Sequence, residues 1–403
     1  MRITSIETIR AGEFPNLLWV RIHTDEGITG TGETSYFPGP AEAHVHDTIA
    51  PMVLGEDPRD IEALMLRLKP YVGFMGTGAE MRAQSAVDIA LWDLRGRVEG
   101  KPVLDLLGGA KHDRLRGYNT CAGYRYIRQG NQAVSNWGAE TLQGPYEDLE
   151  GFMHRAGDVA LSLLDQRISC MKIWPFDPAA EATGGTSIDK TAMDEALGPF
   201  RKIREAAGDK MEVMVELHGL WELKPALEIA KALEEFEPFW IEDPLTPEHP
   251  GALSEFRSAT SAKTAGGETA GPRTQFKNLI AHEAYDVVIY DPAWCGGITE
   301  AVKITAMAEA RGLSTAPHDC LGPLEYLCAL HMGFAARSTL IQESVRAFYS
   351  GWYAELVDYV PTPAGGFFTP PSGAGLGAEL LQDRFRRQDV TTKRTSAEGQ
   401  PQA

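Results

Sequence analysis

A chain of 403 residues exceeds the usual size of one domain, and 43% hydrophobic against 23% charged residues is the balance of a globular protein with a sizeable core. A formal charge of −18 argues against nucleic acid or an anionic membrane surface as a partner. It does not exclude a small anion, because a bound cation can reverse a local field.

Residues 1–115 read as an α+β domain. ITSIETIRA and LLWVRIHTDEG have the look of meander strands, with the DEG turn leading into ITGTGET. A helix is expected from about Glu80, because Ala83, Ala86, Val87, Ala90, Leu91 and Leu94 share one face, and it should end at the Gly100, Lys101, Pro102 break. From residue 116 to 354 the pattern becomes strand, turn and helix in repeated units. Residues 124–145 form a polar, Gly-rich connection, long enough to be functional or an interface, and a helix is expected at 146–166. A second long segment runs from Pro175 to Ile188. Leu223, Leu227, Ala230 and Leu233 line one later helix, and Ala301, Ile304 and Ala308 line another that closes at Gly312. Residues 355–390 are expected to pack back on the first domain, and 391–403 to form a disordered tail.

No apolar run approaches the roughly 20 residues of a membrane span, and the polar start MRITSIETIR is not a signal peptide. Cys121, Cys170, Cys295, Cys320 and Cys328 are odd in number and scattered, so reduced thiols and a cytoplasmic location are expected.

Seven ionisable residues carry the functional signal: Lys172, Glu216, Glu242, Glu268, Asp291, His318 and Glu343. From Glu216 onward they recur every 23 to 27 residues, each at the end of a short apolar run, the weakest being KTAGGE before Glu268. One β/α unit takes about that length, and a β/α barrel gathers the C-terminal ends of its strands on one face. The series therefore predicts a ring of side chains around one cavity. A lone glutamate of this kind would be a solvated loop residue. Glu216, Glu242 and Glu268 together would repel unless a hard divalent cation such as Mg²⁺ held them.

Asp291 and His318 fall on adjacent strand ends. A carboxylate on one ring nitrogen fixes the tautomer and leaves the other as a general base. His218, two residues after Glu216, would share its strand face and could act as an acid, or serve as a further ligand. Lys172 could stabilise charge on oxygen, and Glu343 could contact the same carboxylate. Removal of a proton beside a carboxylate, through an enediolate, is the chemistry these parts suit.

The stretches SAVDIALWDLRGRVEGKPVLDLLGG, WIEDPL, GGET, YDPAWCGGITE, APHDCLGP and GAGLGAELL resemble the enolase superfamily, in its mandelate racemase/muconate lactonizing enzyme branch, over about residues 1–385. The resemblance implies a (β/α)7β barrel, a modified TIM barrel, capped by the α+β N-terminal domain. It implies one Mg²⁺ per subunit on Glu216, Glu242 and Glu268, and the Asp291–His318 dyad of the mandelate racemase subgroup. It also implies a substrate-contacting Glu343 and a homo-oligomer. Glu216 stands where Asp is common. Lys172-Ile173-Trp174 replaces the Lys-x-Lys of racemases, so the second base is missing. Glu216-Leu217-His218 instead resembles the acid-x-His of sugar-acid dehydratases. The expectation is an aldonate-type dehydratase acting on a small carboxylate, with Lys172, His218, Asp291, His318 and Glu343 catalytic and Tyr36, Phe37 and Trp174 near the substrate. An epimerase or cycloisomerase, or a non-catalytic metal-binding homologue, is the alternative.

Overall fold

The computed structural model describes residues 1–69, 76–128 and 144–397. Three antiparallel strands open the chain, β1 (Ile3–Ala11), β2 (Phe14–Thr24) and β3 (Thr29–Ser35). The helix Ala79–Glu99 lies across them and ends where Gly100 turns left-handed at φ 64°. Helix and sheet touch backbone to backbone at Gly30 and Gly32, where a Cβ would sit 2.1 and 2.0 Å from the carbonyl oxygens of Ala90 and Ala86. That contact is why ITGTGET carries glycine inside a strand.

Eight parallel strands follow: β4 (Leu115–Thr120), β5 (Cys170–Ile173), β6 (Glu212–Glu216), β7 (Ile241–Glu242), β8 (Thr264–Gly266), β9 (Val287–Tyr290), β10 (Ser314–Pro317) and β11 (Gln342–Ser344). Helices Asp148–Asp165, Lys190–Ala207, Leu223–Leu233, Pro250–Ala259, Arg273–Ala281, Ile298–Glu309 and Pro323–Ala335 separate them in turn. From β4 to β10 each strand pairs with the next, and β11 pairs with β4, so the sheet curls into a barrel. The seam between β10 and β11 is held by an isolated bridge, Thr315 with Thr339. Tyr118, Met214, Trp240 and Ile289 belong to a buried cluster that fills the barrel interior.

The chain then returns to the first domain. Strand β12 (Phe367–Phe368) pairs antiparallel with β4, and the Phe385 ring packs edge-on against Trp19 at 5.1 Å. The expected tail at 391–403 is corrected in its first half. Val390–Ser396 is strand β13, paired antiparallel along β1 from Ala11 to Ser5. Its threonines and valine favour extended backbone, and the open edge of β1 supplies a partner for the peptide groups. Residues 398–403 lie outside the described residues, as do 129–143 of the connection expected to form an interface. Among the described residues no helix is long and apolar enough to cross a membrane.

Candidate active site

The strand ends set the site. Lys172 lies within β5, Glu216 and Glu242 end β6 and β7, Asp291 and His318 follow β9 and β10 directly, and Glu343 is central in β11. Glu268 stands two residues beyond the three-residue β8. Gly267, at φ 114°, makes the turn that delivers it, and a Cβ there would meet the Ile289 carbonyl oxygen at 2.7 Å. The weak apolar run before Glu268 is thus a short strand and a glycine turn.

Carboxylate oxygens of Glu216, Glu242 and Glu268 lie within 4.8 Å of one another, all buried. Lys172 Nζ is 2.6 Å from Glu242, 3.0 Å from Glu343 and 3.5 Å from Glu216. The Trp240 indole N–H donates to Glu242 at 2.8 Å, and the His218 backbone N–H to Glu216 at 2.7 Å. Among the described residues Glu216 Oε2 has no hydrogen-bond donor. Burial, then the charge of Glu216, pushes Glu242 well above the usual carboxylate range despite Lys172, and burial raises Glu216 as well. One ammonium does not balance this much buried anion. Three converging hard oxygens with an undonated lone pair fit Mg²⁺, which Glu216, Glu242 and Glu268 would hold.

His318 Nδ1 is 2.8 Å from Asp291, and Nε2 is 3.2 Å from Glu268. Burial works against its cation, but Glu268, Glu343 and Asp291 outweigh burial and lift it to about 10. Glu343 is bound on three sides, by Lys172, by the Thr120 hydroxyl and by the Asp319 N–H at 2.9 Å. Strands β6 and β10 stand four apart in the ring of eight, so His218 and His318 approach the cavity from opposite walls.

His218 lines the cavity for a different reason from the one its spacing suggests. Strand β6 stops at Glu216, and His218 lies beyond it with a left-handed backbone, φ 51°, fastened by its own N–H to Glu216. Its Nδ1 is 2.5 Å from Asp177, whose charge, followed by that of Glu216, overcomes burial and lifts the imidazole to about 10. Asp177 opens a short helix within the segment from Pro175 to Ile188 and was invisible as a site residue. A Pro at the next position, marking a helix start, was the available signal.

A cavity of about 350 Å³ joins these groups, lined by Lys172, Asp177, His218, Glu268 and His318 together with Tyr36, Thr120, Tyr126, Trp174 and Trp294. Trp174 meets the His218 ring edge-on at 5.8 Å, and Trp294 packs on His318 at 5.2 Å. Of the expected substrate contacts, Tyr36 and Trp174 line the cavity and Phe37 does not. Phe37 begins a helix at φ 50° and is 51% exposed. Arg82, from the helix Ala79–Glu99, also reaches the cavity wall and was not anticipated, because its neighbours are distant in sequence.

Residues 156–384 match the family description "Enolase C-terminal domain-like", and 4–108 match "Mandelate racemase / muconate lactonizing enzyme, N-terminal domain". A D-galactonate dehydratase of Ralstonia nicotianae is 32% identical over 388 residues, covering 94% of this chain and 92% of that one. A D-galactonate dehydratase of Xanthomonas euvesicatoria is 31% identical over 396 residues, covering 96% and 94%. Among solved structures, an enolase of the mandelate racemase subgroup from Agrobacterium tumefaciens is 43% identical with a TM-score of 0.87, over 98% of this chain and 99% of that one. An enolase protein from Sargasso Sea environmental sequence is 37% identical with the same TM-score of 0.87, over 100% of both chains.

Proposed function

The chain belongs to the mandelate racemase/muconate lactonizing enzyme family of the enolase superfamily, and on that premise we propose that it is a sugar-acid dehydratase. The substrate is a 2,3-dihydroxy carboxylate of the aldonate type, and the product a 2-keto-3-deoxy acid. The observation that carries this reading is the second histidine–carboxylate pair. His218 with Asp177 faces His318 with Asp291 across the cavity, while Trp174 fills the place of a second lysine base.

His318, in its neutral form, takes the proton from the carbon beside the carboxylate through Nε2, with Asp291 holding the ring by Nδ1. Charge develops on the carboxylate oxygens, and Lys172 donates to it from a buried site where such an interaction is strong. A Mg²⁺ on Glu216, Glu242 and Glu268, when bound, supplies Lewis-acid stabilisation of the same charge. The electron pair then forms the C2–C3 double bond as the C3–O bond breaks. His218 gives its proton to the departing hydroxyl, which leaves as water. The enol picks up a proton at C3 and becomes the ketone. All five cysteines are buried and free of disulfides, in keeping with a reducing cytoplasm.

The test separates the two histidines. His218→Asn should lose 2-keto product, by about 10²–10⁴-fold, yet still wash the α-proton into D₂O, since His318 is untouched. His318→Asn should lose both. A wild-type enzyme that returns only an epimer from every sugar acid supplied would replace dehydration with epimerisation.

A further inference from the structure

Among the described residues Arg82 is an arginine without an acid. The residue is 9% exposed, at the cavity wall, on a helix of the N-terminal domain. Among the described residues, no carboxylate lies within ion-pair distance of it. Its one hydrogen bond to them runs from Nη1 to the Ser35 carbonyl at 3.0 Å, and Nε is buried with no partner. The guanidinium carbon sits 4.4 Å from the centre of the Trp294 ring, with the Tyr36 and Phe37 rings each at 5.9 Å. These aromatic neighbours hold the fork in place and neutralise none of its charge. Burial drives the guanidinium down to about 10, and Asp291, Tyr36 and Glu268 offset only part of that cost. Both of those acids are already held by His318. A buried cation with donors left over is costly unless a ligand completes it.

Its position says which part of a ligand. Trp294 packs against both His318, its ring tilted at 37° to the imidazole, and Arg82. A substrate whose reacting carbon faces His318 would extend past Trp294 to bring its far end to Arg82. We propose that Arg82 receives a second carboxylate at that far end, so that the preferred substrates are sugar diacids, aldarates, which keep the 2,3-dihydroxy carboxylate head and carry a carboxylate in place of the terminal hydroxymethyl. A planar guanidinium pairs with a carboxylate through two parallel hydrogen bonds, a geometry a hydroxyl cannot match. The proposal rests on the dehydratase reading for the orientation of the head, and its test does not require turnover.

Binding is measured by calorimetry with Mg²⁺ present, over six-carbon aldonates each paired with its C6-oxidised diacid and its C6-phosphate. In at least one pair the wild-type protein should bind the diacid about 10- to 100-fold more tightly than the monoacid. Arg82→Gln should collapse that ratio to near one while leaving monoacid affinity within about threefold, and Arg82→Lys should restore part of it. A merely structural arginine would weaken both acids together and leave the ratio unchanged, which overturns the proposal. So does a panel in which no diacid binds more tightly than its monoacid, or in which the phosphates bind most tightly. Product assays on the same panel report separately on the chemistry: diacids that bind through Arg82 without yielding 2-keto product count against the dehydratase reading alone.

Discussion

His218 shows how much one residue's backbone can decide. Its left-handed turn spends conformational energy to swing the ring off the strand end and against Asp177, while its N–H stays on Glu216. Asp177 touches no substrate in this scheme and acts by keeping the ring oriented and charged. Asp177→Asn keeps the size and removes the charge. It should slow 2-keto formation by about 10²-fold, within the range a positioned acid contributes, while α-proton exchange through His318 continues at its normal rate. Comparing initial product rates with NMR-detected exchange checks this, and equal loss of both would mean that Asp177 supports the whole cavity.

At the scale of elements, the turn after β8 leaves little room for change. Gly267→Ala places a Cβ against the Ile289 carbonyl in a backbone region costing about 1–3 kcal/mol for other residues, so the turn must shift and Glu268 with it. Mg²⁺ affinity measured by calorimetry should fall at least tenfold while the far side of the barrel is unchanged. Wild-type affinity would mean that Glu268 is placed by its side-chain contacts instead. The ring from Glu216 to Glu343 was legible in the sequence because one β/α unit consumes a nearly constant length of chain, so spatial neighbours recur at a linear pitch. Arg82, Asp177 and β13 were not legible. Arg82 reaches the cavity from the other domain, Asp177 from a connection of no fixed length, and the β13 pairing joins residues nearly the whole chain apart. Local pattern carries no record of such contacts.

On the scale of the whole molecule, His331 ties three segments together. From the buried helix Pro323–Ala335 its Nδ1 accepts the Leu104 N–H at 3.0 Å, and Nε2 lies 3.1 Å from the Leu376 carbonyl. This pattern needs the neutral ring, and burial, only partly opposed by the Leu376 bond, holds it down to about 4. The sign follows directly. Below about 6.5 the unfolded chain binds a proton that the folded chain refuses, so this group's contribution is full above about 6.5 and is lost as pH falls toward about 4. The loss is of order 3 kcal/mol. Urea melts at pH 7 and pH 4.5 should show it, and His331→Gln, which cannot titrate, should reduce the difference between the two pH values by most of that amount. An unchanged difference would assign the acid sensitivity elsewhere.

The seam between β10 and β11 has a consequence for motion. Near the cavity, what spans it is the Glu343 carboxylate accepting the Asp319 N–H, in place of a backbone ladder. At its cavity end this seam, bonded backbone to backbone only around Thr315, breathes where that side chain lets go. Amide hydrogen exchange at Asp319 should therefore be faster than at the ends of the laddered strands, and faster again in Glu343→Ala. If that carboxylate also meets the substrate, as the family resemblance implies, it would be the latch of the barrel as well, and loading the site and tightening the scaffold would become one event.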